Sequence, residues 1–466
     1  MTALSPGRVA ALDTLVRQAG RFPDLDFAES ADASAPAGAP LDPRDAALGR
    51  AIEQAVIRRW LTLAAICRAC IDRRWENVDR RIQAALLTGA AQLLLFGHQA
   101  DHAVVDDTVE WTKRKGRSGA PGFVNAVLRR IAALRGEVLP AGDPGAAPAA
   151  WLERCDTLPL EDGRVLMLTR PVFSPDHVAR LGEQTSHGED LVLHWMNTAG
   201  RATAIARAVH GLVHPPVVLA GLGAAAAGAA SAAGAGTDGG PLLAPHREPG
   251  FWVWRGTHRQ LLELLAAHPE ARVQDAGTGR AVLLAAGLRP ALILDACAGR
   301  GTKTRQIALL HPNAEIVATD ADAGRLRTLA EAFAGHPQVK VTTPEGLRRV
   351  VGRCDLLLLD VPCSNTGVLA RRPEARYRFT RARLDGLVAL QRRIALEHTA
   401  FLAPGGHVLY STCSLENAEN SPQAEGLARR LRGRVEAMEA REPSGRPGEP
   451  DTTYADGTFG ALVKAG

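Results

Sequence analysis

Two short runs carry thiols placed for covalent chemistry. In Leu358-Leu359-Asp360-Val361-Pro362-Cys363-Ser364 a cysteine follows an aspartate by three residues, and Tyr410-Ser411-Thr412-Cys413-Ser414 holds a second. A lone cysteine is more often a small buried apolar residue than a nucleophile. Here each follows an apolar run of strand length, so both fall at strand ends where ligands of parallel sheets bind. A thiolate there suits covalent catalysis on a carbon too unreactive by itself, such as carbon 5 of cytosine. Addition of a thiolate at carbon 6 pushes electron density onto carbon 5, which can then attack a sulfonium methyl group. A base removes the carbon-5 proton and the thiolate leaves. Asp360 is placed as an acid near ring nitrogen 3. Lys303 is an electrostatic aid that lowers the attacking thiol's pKa.

The methyl donor needs its own site. The turn from Asp295 to Thr304 reads DACAGRGTKT, and Ala296, Cys297, Ala298, Gly299, Arg300, Gly301 and Lys303 are its candidate cofactor contacts. Small residues let a ligand approach the backbone, and the next helix points its positive end at the turn. A dinucleotide fingerprint would need glycine where Thr304 stands. A phosphate-binding P-loop would need Gly301 and Lys303 adjacent, but Thr302 separates them. Both near-misses argue against a nucleotide held by its phosphates. Asp320, at the end of the next strand, is placed to accept hydrogen bonds from ribose hydroxyls. Arg325 and Glu345, after the second and third strands, complete the expected cofactor set with Asp360, and Glu345 faces the adenine.

These residues need a scaffold. From about residue 250 strands and helices alternate: strands at 292–294, 316–319, 339–341, 356–359 and 407–410, helices at 303–310, 326–333 and 384–402. That order predicts a Rossmann-like domain with a mostly parallel sheet over 250–466. Residues 1–135 show apolar spacing at helical period, broken by a loop at 21–45, and predict an all-α domain. Residues 136–249 read as a Pro/Gly/Ala linker (136–150) and a small middle domain with a helix near Glu189–Arg207 and a strand near Pro216–Leu219. Its Ala/Gly tract, 221–240, is expected to be mobile.

The motifs resemble those of the bacterial 16S ribosomal RNA (cytosine-C5) methyltransferase B family, the Sun/Fmu type. Asp295–Thr304 matches D-x-C-A-A-P-G-G-K-T, Asp360–Gly367 matches D-x-P-C-S-x-x-G, and Thr412–Ser414 with Glu419-Asn420 matches T-C-S-x-x-x-x-E-N. The resemblance implies that Cys413 attacks carbon 6, that Cys363 helps release product, and that S-adenosylmethionine is the cofactor. Asp106–Arg114 and Gly122–Arg130 look like the final helices of a NusB-like RNA-binding domain. Val273-Gln274-Asp275 resembles the segment before the methyltransferase core, and Asp456–Leu462 its last strand. About four-fifths of the chain is covered. Departures are Arg300 and Thr302 in place of Pro and Gly, Glu345 in place of Asp, and Ala220 in place of an Arg after Leu219.

RNA is the expected partner, small-subunit ribosomal RNA by resemblance. Between Arg371 and Arg393 stand eight arginines against two acids, interleaved with Tyr377 and Phe379. Arg371, Arg372 and Arg376 are candidate RNA contacts there. Lys113, Arg114, Lys115, Arg117, Arg129 and Arg130 form a second basic cluster, from which Lys113, Arg114 and Arg129 are candidates. The net charge of +5 permits an anionic partner without requiring one. Seven cysteines without framework spacing, no signal segment and no long apolar run fit a cytoplasmic monomer off the membrane. Cys67 and Cys70 lack a second ligand pair, so no metal is expected. Transfer RNA or DNA methylation and a non-catalytic RNA-binding scaffold remain the alternatives at this point.

Overall fold

The computed structural model describes residues 4–27, 41–97, 100–115, 119–142, 150–232, 234–237 and 239–466. The chain divides into two compact units. Unit 1 is Met1–His214 with Leu369–Thr380 and Arg446–Glu449; unit 2 is Pro215–Val368, Arg381–Gly445 and Pro450–Gly466. Residues 135 and 249, where composition changes, lie inside units 1 and 2 respectively.

Unit 1 begins with the expected helices: α1 (Pro6–Arg21), α2 (Pro43–Arg58), α3 (Trp60–Ala69), α4 (Arg80–Leu95), α5 (Asp101–Lys115) and α6 (Ala120–Ala132). Ser5, Asp42 and Asp79 accept backbone N–H groups at the starts of α1, α2 and α4, which the helix cannot satisfy itself. Aliphatic side chains fill the core, among them Leu15, Ile52, Val56, Leu63, Leu87, Val124 and Leu128. Cys67 and Cys70 are buried there, and burial pushes both thiols up, as befits inert core cysteines.

Two expectations change beyond α6. The linker opens as a strand, β1 (Arg135–Leu139), in an antiparallel sheet of order β1-β3-β2 with β2 (Thr157–Pro159) and β3 (Val165–Leu168). All of β1 is exposed, so backbone pairing holds it and no apolar pattern announces it. Residues 143–149 of the linker lie outside the described residues. After α7 (His177–Thr185), the single helix expected over Glu189–Arg207 is two, α8 (Glu189–Ala199) and α9 (Arg201–His210). Gly200 separates them with φ +82°, a left-handed turn that an α-helix cannot absorb.

Unit 2 holds two sheets. The smaller has the order β5-β6-β4-β7, from β4 (Val217–Ala220), β5 (Leu243–Pro245), β6 (Phe251–Trp254) and β7 (Arg272–Val273). Against it pack α10 (Ala224–Ala232) and α11 (His258–Ala267). The Ala/Gly tract expected to be mobile is therefore partly helical. Alanine is the best helix former, and Ala226, Ala227 and Ala230 pack with Leu219, Leu222 and Trp254.

After the short α12 (Arg280–Leu283) comes a seven-stranded sheet of order β10-β9-β8-β11-β12-β14-β13. Its strands are β8 (Leu292–Asp295), β9 (Glu315–Ala318), β10 (Val339–Val341), β11 (Cys354–Asp360), β12 (Leu402–Thr412), β13 (Arg434–Arg441) and β14 (Thr458–Lys464). Strands β8 to β12 run parallel, and β14 pairs antiparallel to β12 and β13. Helices α13 (Thr302–Leu310), α14 (Ala323–Ala332), α16 (Arg381–His398) and α17 (Ser421–Arg430) belong to this unit, and α15 (Ala375–Arg378) lies in the segment that joins unit 1. The fold class is as expected: a helical amino-terminal part and a Rossmann-like sheet. The chain winds from β8 outward through β9 and β10, then returns to β11 on the other side of β8. The strand order therefore reverses between β8 and β11, where such sheets bind ligands.

Leu356, Leu357, Leu358 and Leu359 of β11 are fully buried between the sheet's two faces. Leu358→Ala should lower unfolding free energy by about 2–5 kcal/mol through lost burial and the cavity left behind. Leu396→Ala, at a half-exposed side chain of α16, should change it by no more than about 0.5 kcal/mol. Urea unfolding of the full chain measures both.

Candidate active site

The carboxyl edge of the parallel sheet assembles the predicted residues. In spatial order β9, β8, β11, β12, the strands end at or just before Asp320, Asp295, Asp360 and Cys413. Residues Asp360 and Ser411 are register partners, so the two cysteine runs leave the sheet side by side. They stay joined beyond it: Val361 N–H donates to Ser411 O (3.2 Å), Gly367 N–H to Cys413 O (2.9 Å), and Leu415 N–H to Thr366 Oγ1 (2.9 Å). A Cβ on Gly367 would stand 2.5 Å from Gly457 O and 2.9 Å from Cys413 O, so only glycine permits this approach.

The result is a pair of thiols. Cys363 Sγ and Cys413 Sγ are 3.2 Å apart, and Cys413 Sγ lies 3.1 Å from Asn365 Oδ1. Cys363 is buried and Cys413 half-buried. The hydrogen bond to Cys413, then burial, push the Cys363 thiol well above its ordinary value. Cys363 thus keeps its proton at neutral pH and can donate it to Cys413 Sγ.

Asp360 receives two donors: Lys303 Nζ at 2.7 Å on Oδ2 and Ser411 Oγ at 2.8 Å on Oδ1. Burial alone would lower the Lys303 ammonium, but the charge and hydrogen bond of Asp360, with Cys413 nearby, carry it above its ordinary value. Lys303 is therefore a fixed cation beside the thiols.

A buried acid without an assigned role organises these loops. Glu419 accepts Ser364 N–H (2.9 Å) and Gln391 Nε2 (2.8 Å) on Oε1, and Ser364 Oγ and Ser414 Oγ (both 2.5 Å) on Oε2. One carboxylate thereby ties the Pro-Cys-Ser run to the Thr-Cys-Ser run. Asn420 braces the Thr-Cys-Ser run alone, accepting Thr412 Oγ1 at 2.6 Å and donating to Ser414 O at 2.9 Å. The Glu-Asn pair was visible as part of a motif, yet spacing alone did not reveal that it faces both serines. Gln391, from α16, left no signal.

The cofactor turn has the form expected for a ligand held close to backbone. Gly299 and Gly301 both take positive φ, +57° and +85°. A Cβ on Gly301 would collide with the Phe333 ring, whereas the corresponding direction at Gly299 is open. Asp320 accepts Gly299 N–H (2.8 Å) and Asp322 N–H (2.9 Å), fixing the turn. Asp295 is buried, takes a hydrogen bond from Thr304 Oγ1 at 2.7 Å on Oδ2, and leaves Oδ1 without a partner among the described residues. An open glycine face, an orphaned carboxylate oxygen and a second carboxylate on the next strand fit S-adenosylmethionine. Ala296 and Ala298 are buried and Cys297 is half-buried, its thiol raised by burial. Arg300 and Thr302, the departures from the family pattern, are exposed. Arg325 is exposed on the first turn of α14. Glu345 is exposed too, held below its ordinary value by a backbone N–H of its own turn and by the Thr343 hydroxyl.

The expected RNA contacts separate into two kinds. Arg376 is 1% exposed and donates to the carbonyls of Arg58 (3.1 Å), Leu369 (3.0 Å) and Gly211, so it is a structural residue of unit 1 and not an RNA contact. Tyr377, read as a stacking aromatic, is likewise buried and donates to Ile57 O at 2.6 Å. A charge run in sequence cannot show which of its members fold inward. Arg372 is exposed beside Glu374 (3.6 Å), and Arg371 is half-buried. Lys113 and Arg114 are exposed on the last turn of α5, both near Glu110 (3.0 and 3.3 Å), and Arg129 is exposed on α6. Arg117 lies outside the described residues.

Fold and site together define a class, the Rossmann-like S-adenosylmethionine-dependent methyltransferases. Residues 283–454 match the family described as 16S rRNA methyltransferase RsmB/F, and residues 6–133 match the NusB family. The chain is 30% identical over 455 residues to ribosomal RNA small subunit methyltransferase B of Xanthomonas campestris pv. campestris, covering 91% of this chain and 89% of that one. The protein of the same name from Vibrio cholerae is 27% identical over 450 residues, covering 90% of each chain. The crystal structure of PH0851 superposes with a TM-score of 0.66 over 99% of both chains at 14% identity, a likeness of fold. The chain belongs to the ribosomal RNA small subunit methyltransferase B family.

Two outcomes follow from the buried acids. Glu419→Gln puts an amide N–H₂ where donors now point, so methyl transfer should fall at least about tenfold in kcat with little change in KM for RNA, as expected when positioning is lost. Burial raises Asp295 to about 7, despite the Thr304 hydrogen bond. The folded state therefore holds a proton that the unfolded chain, near the ordinary value of about 3.9, has already lost, and stability falls as pH rises through that window. In Asp295→Asn this component of the slope should vanish, measured by denaturant unfolding from pH 4 to 7.

Proposed function

We propose that the chain methylates carbon 5 of a cytosine in 16S ribosomal RNA through a covalent bond between Cys413 and carbon 6. The observation that carries this is the thiol pair, 3.2 Å apart at the carboxyl edge of the sheet, with a lysine–aspartate ion pair beside it. The names of the relatives supply the ribosomal RNA, and the cytosine follows from what two thiols at one methyl-transfer site can do. The site of action is the cytoplasm, where the ribosome is made.

Bound S-adenosylmethionine supplies the methyl group as a sulfonium electrophile. Ala296, Gly299, Asp295 and Asp320 would hold it, with Arg325 and Glu345 beside its nucleoside. The Cys413 thiolate forms a bond to carbon 6 of cytosine. The displaced electron pair moves to ring nitrogen 3, which takes a proton, leaving carbon 5 as the nucleophilic end of an enamine. Both oxygens of Asp360 already accept hydrogen bonds. The Lys303 ammonium, held above its ordinary value beside Asp360, supplies the proton for nitrogen 3. Carbon 5 then takes the methyl group and nitrogen 3 returns its proton. A base removes the hydrogen from carbon 5, the 5,6 double bond re-forms, and Cys413 leaves as a thiolate. Cys363 assists that departure, since its retained proton is hydrogen-bonded to the leaving sulfur. The target base must leave its stack to reach Sγ, which favours a single-stranded or looped site.

Cys413→Ala should abolish methyl transfer. Cys363→Ala should leave the first bond-forming steps intact and accumulate a protein–RNA adduct, seen as a gel shift that survives denaturation. A variant at Cys363 that turns over normally, or an inactive Cys363→Ala with RNA and cofactor bound but no adduct, would contradict this division of labour.

A further inference from the structure

Asn365 stands at a position that the Pro-Cys-Ser motif leaves free, yet its side chain touches the sulfur of Cys413. Its amide has one orientation that satisfies both neighbours. Nδ2 lies 3.1 Å from Cys363 O, a group that only accepts, so the N–H₂ donates there. Oδ1 is thereby turned to Cys413 Sγ at 3.1 Å, and an amide oxygen also only accepts. The Cys413 S–H therefore points at Asn365. Cys413 has no second proton for Cys363, 3.2 Å away, so Cys363 is the donor between the two sulfurs. The bonds close into a ring of one direction: Cys363 S–H to Cys413 Sγ, Cys413 S–H to Asn365 Oδ1, and Asn365 N–H to Cys363 O. The backbone is bent to make it. Asn365 takes φ +60°, a left-handed conformation that only Ser186 and Arg432 share among the described non-glycine residues. Such a conformation costs about 1 kcal/mol or more, and asparagine tolerates it better than most side chains. The Asn365 carbonyl accepts Val368 N–H at 3.1 Å, closing the turn that aims the amide. Glycine would meet that backbone demand more cheaply, so the amide is what asparagine adds here.

We propose that Asn365 is a positioning residue for the nucleophile: its amide holds the Cys413 thiol in one direction, proton on Oδ1, beside Cys363. A hydrogen bond donated by the neutral form of an acid favours that form over the ionised one, so the resting sulfur is held back from reaction. The same bond fixes where Sγ lies, and a reacting atom misplaced by about 1 Å can cost on the order of 100-fold in rate. Once Cys413 has given up its proton, nothing is donated to Oδ1, and the sulfur is released to move toward carbon 6. The role of Cys413 as nucleophile rests on the proposed function; the hydrogen-bonded ring does not.

Alkylation of the full chain by iodoacetamide as a function of pH, without RNA or cofactor, tests this, with mass spectrometry following the Cys413 peptide. Two variants act in opposite senses. Asn365→Gly suits the left-handed backbone and removes the amide, whereas Asn365→Asp keeps its size and brings a negative charge. Both residue types tolerate φ +60°, and thermal unfolding verifies that both variants are folded. Loss of the acceptor should move the pH midpoint of Cys413 alkylation below that of the wild type in N365G, by about half a unit. A carboxylate beside the sulfur should move it above the wild type in N365D, by about one unit. Either midpoint left at the wild-type value, or displaced the other way, would overturn the proposal. With RNA and S-adenosylmethionine, N365G should lower kcat about tenfold with little change in KM for RNA, as loss of aim does. A wild-type kcat in N365G would overturn the positioning role. Both midpoint shifts, in a chain that methylates no RNA, would uphold the hold of Asn365 on Cys413 and count against the proposed function.

Discussion

One buried carboxylate sets the geometry on which the rest of the site depends. Glu419 gathers Ser364, Ser414 and Gln391 around its two oxygens. A buried carboxylate is tolerated only when its oxygens are satisfied, and the groups that satisfy this one come from both cysteine loops and from α16. The loops cannot separate without leaving a buried charge short of donors. That constraint brings two sulfur atoms from different strand ends to 3.2 Å. Glu419 is itself raised by burial against the lowering effect of its hydrogen-bond donors, which marks how dry the place is.

Around this clamp the charges are arranged by the sheet. The switch in strand order puts β8 and β11 side by side, so the charge of Asp360 acts on Asp295. They differ because of their neighbours. Asp360 has a lysine ammonium and a serine hydroxyl, while Asp295 has one threonine hydroxyl, and burial with the repulsion of Asp360 lifts it to about 7. Lys303 sits on the first turn of α13, directly after the glycine turn, so one short segment supplies both a backbone face for the cofactor and the cation beside the thiols.

Much of this could be read from residue order. Apolar runs ending in Asp295, Asp360 and Cys413 mark strands because a strand buried on both faces must be apolar throughout, and the alternation with helices fixes the parallel arrangement. The helices of the first 135 residues followed from their period. What escaped was decided by tertiary packing. Arg376 and Tyr377 lie in a basic run that looks solvated, yet they turn inward to bind backbone carbonyls of unit 1. Strand β1 has no buried side chain to reveal it, and α10 is built from residues too small to register as an apolar face. Gly200 splits a helix through one backbone angle that composition does not encode. Glu419 was seen as a letter in a motif, whereas its role emerges only when the two loops are side by side.

In the proposed mechanism Cys413 bonds to carbon 6 and Cys363 does not. RNA carrying 5-fluorocytosine at the target position tests it in the unmutated chain, because carbon 5 then bears no hydrogen to lose and the adduct cannot break down. After incubation with S-adenosylmethionine and digestion, mass spectrometry should find a methylated fluorocytidine attached to the peptide containing Cys413. Attachment at Cys363, or a methylated product with no nucleotide on either cysteine, would contradict the account.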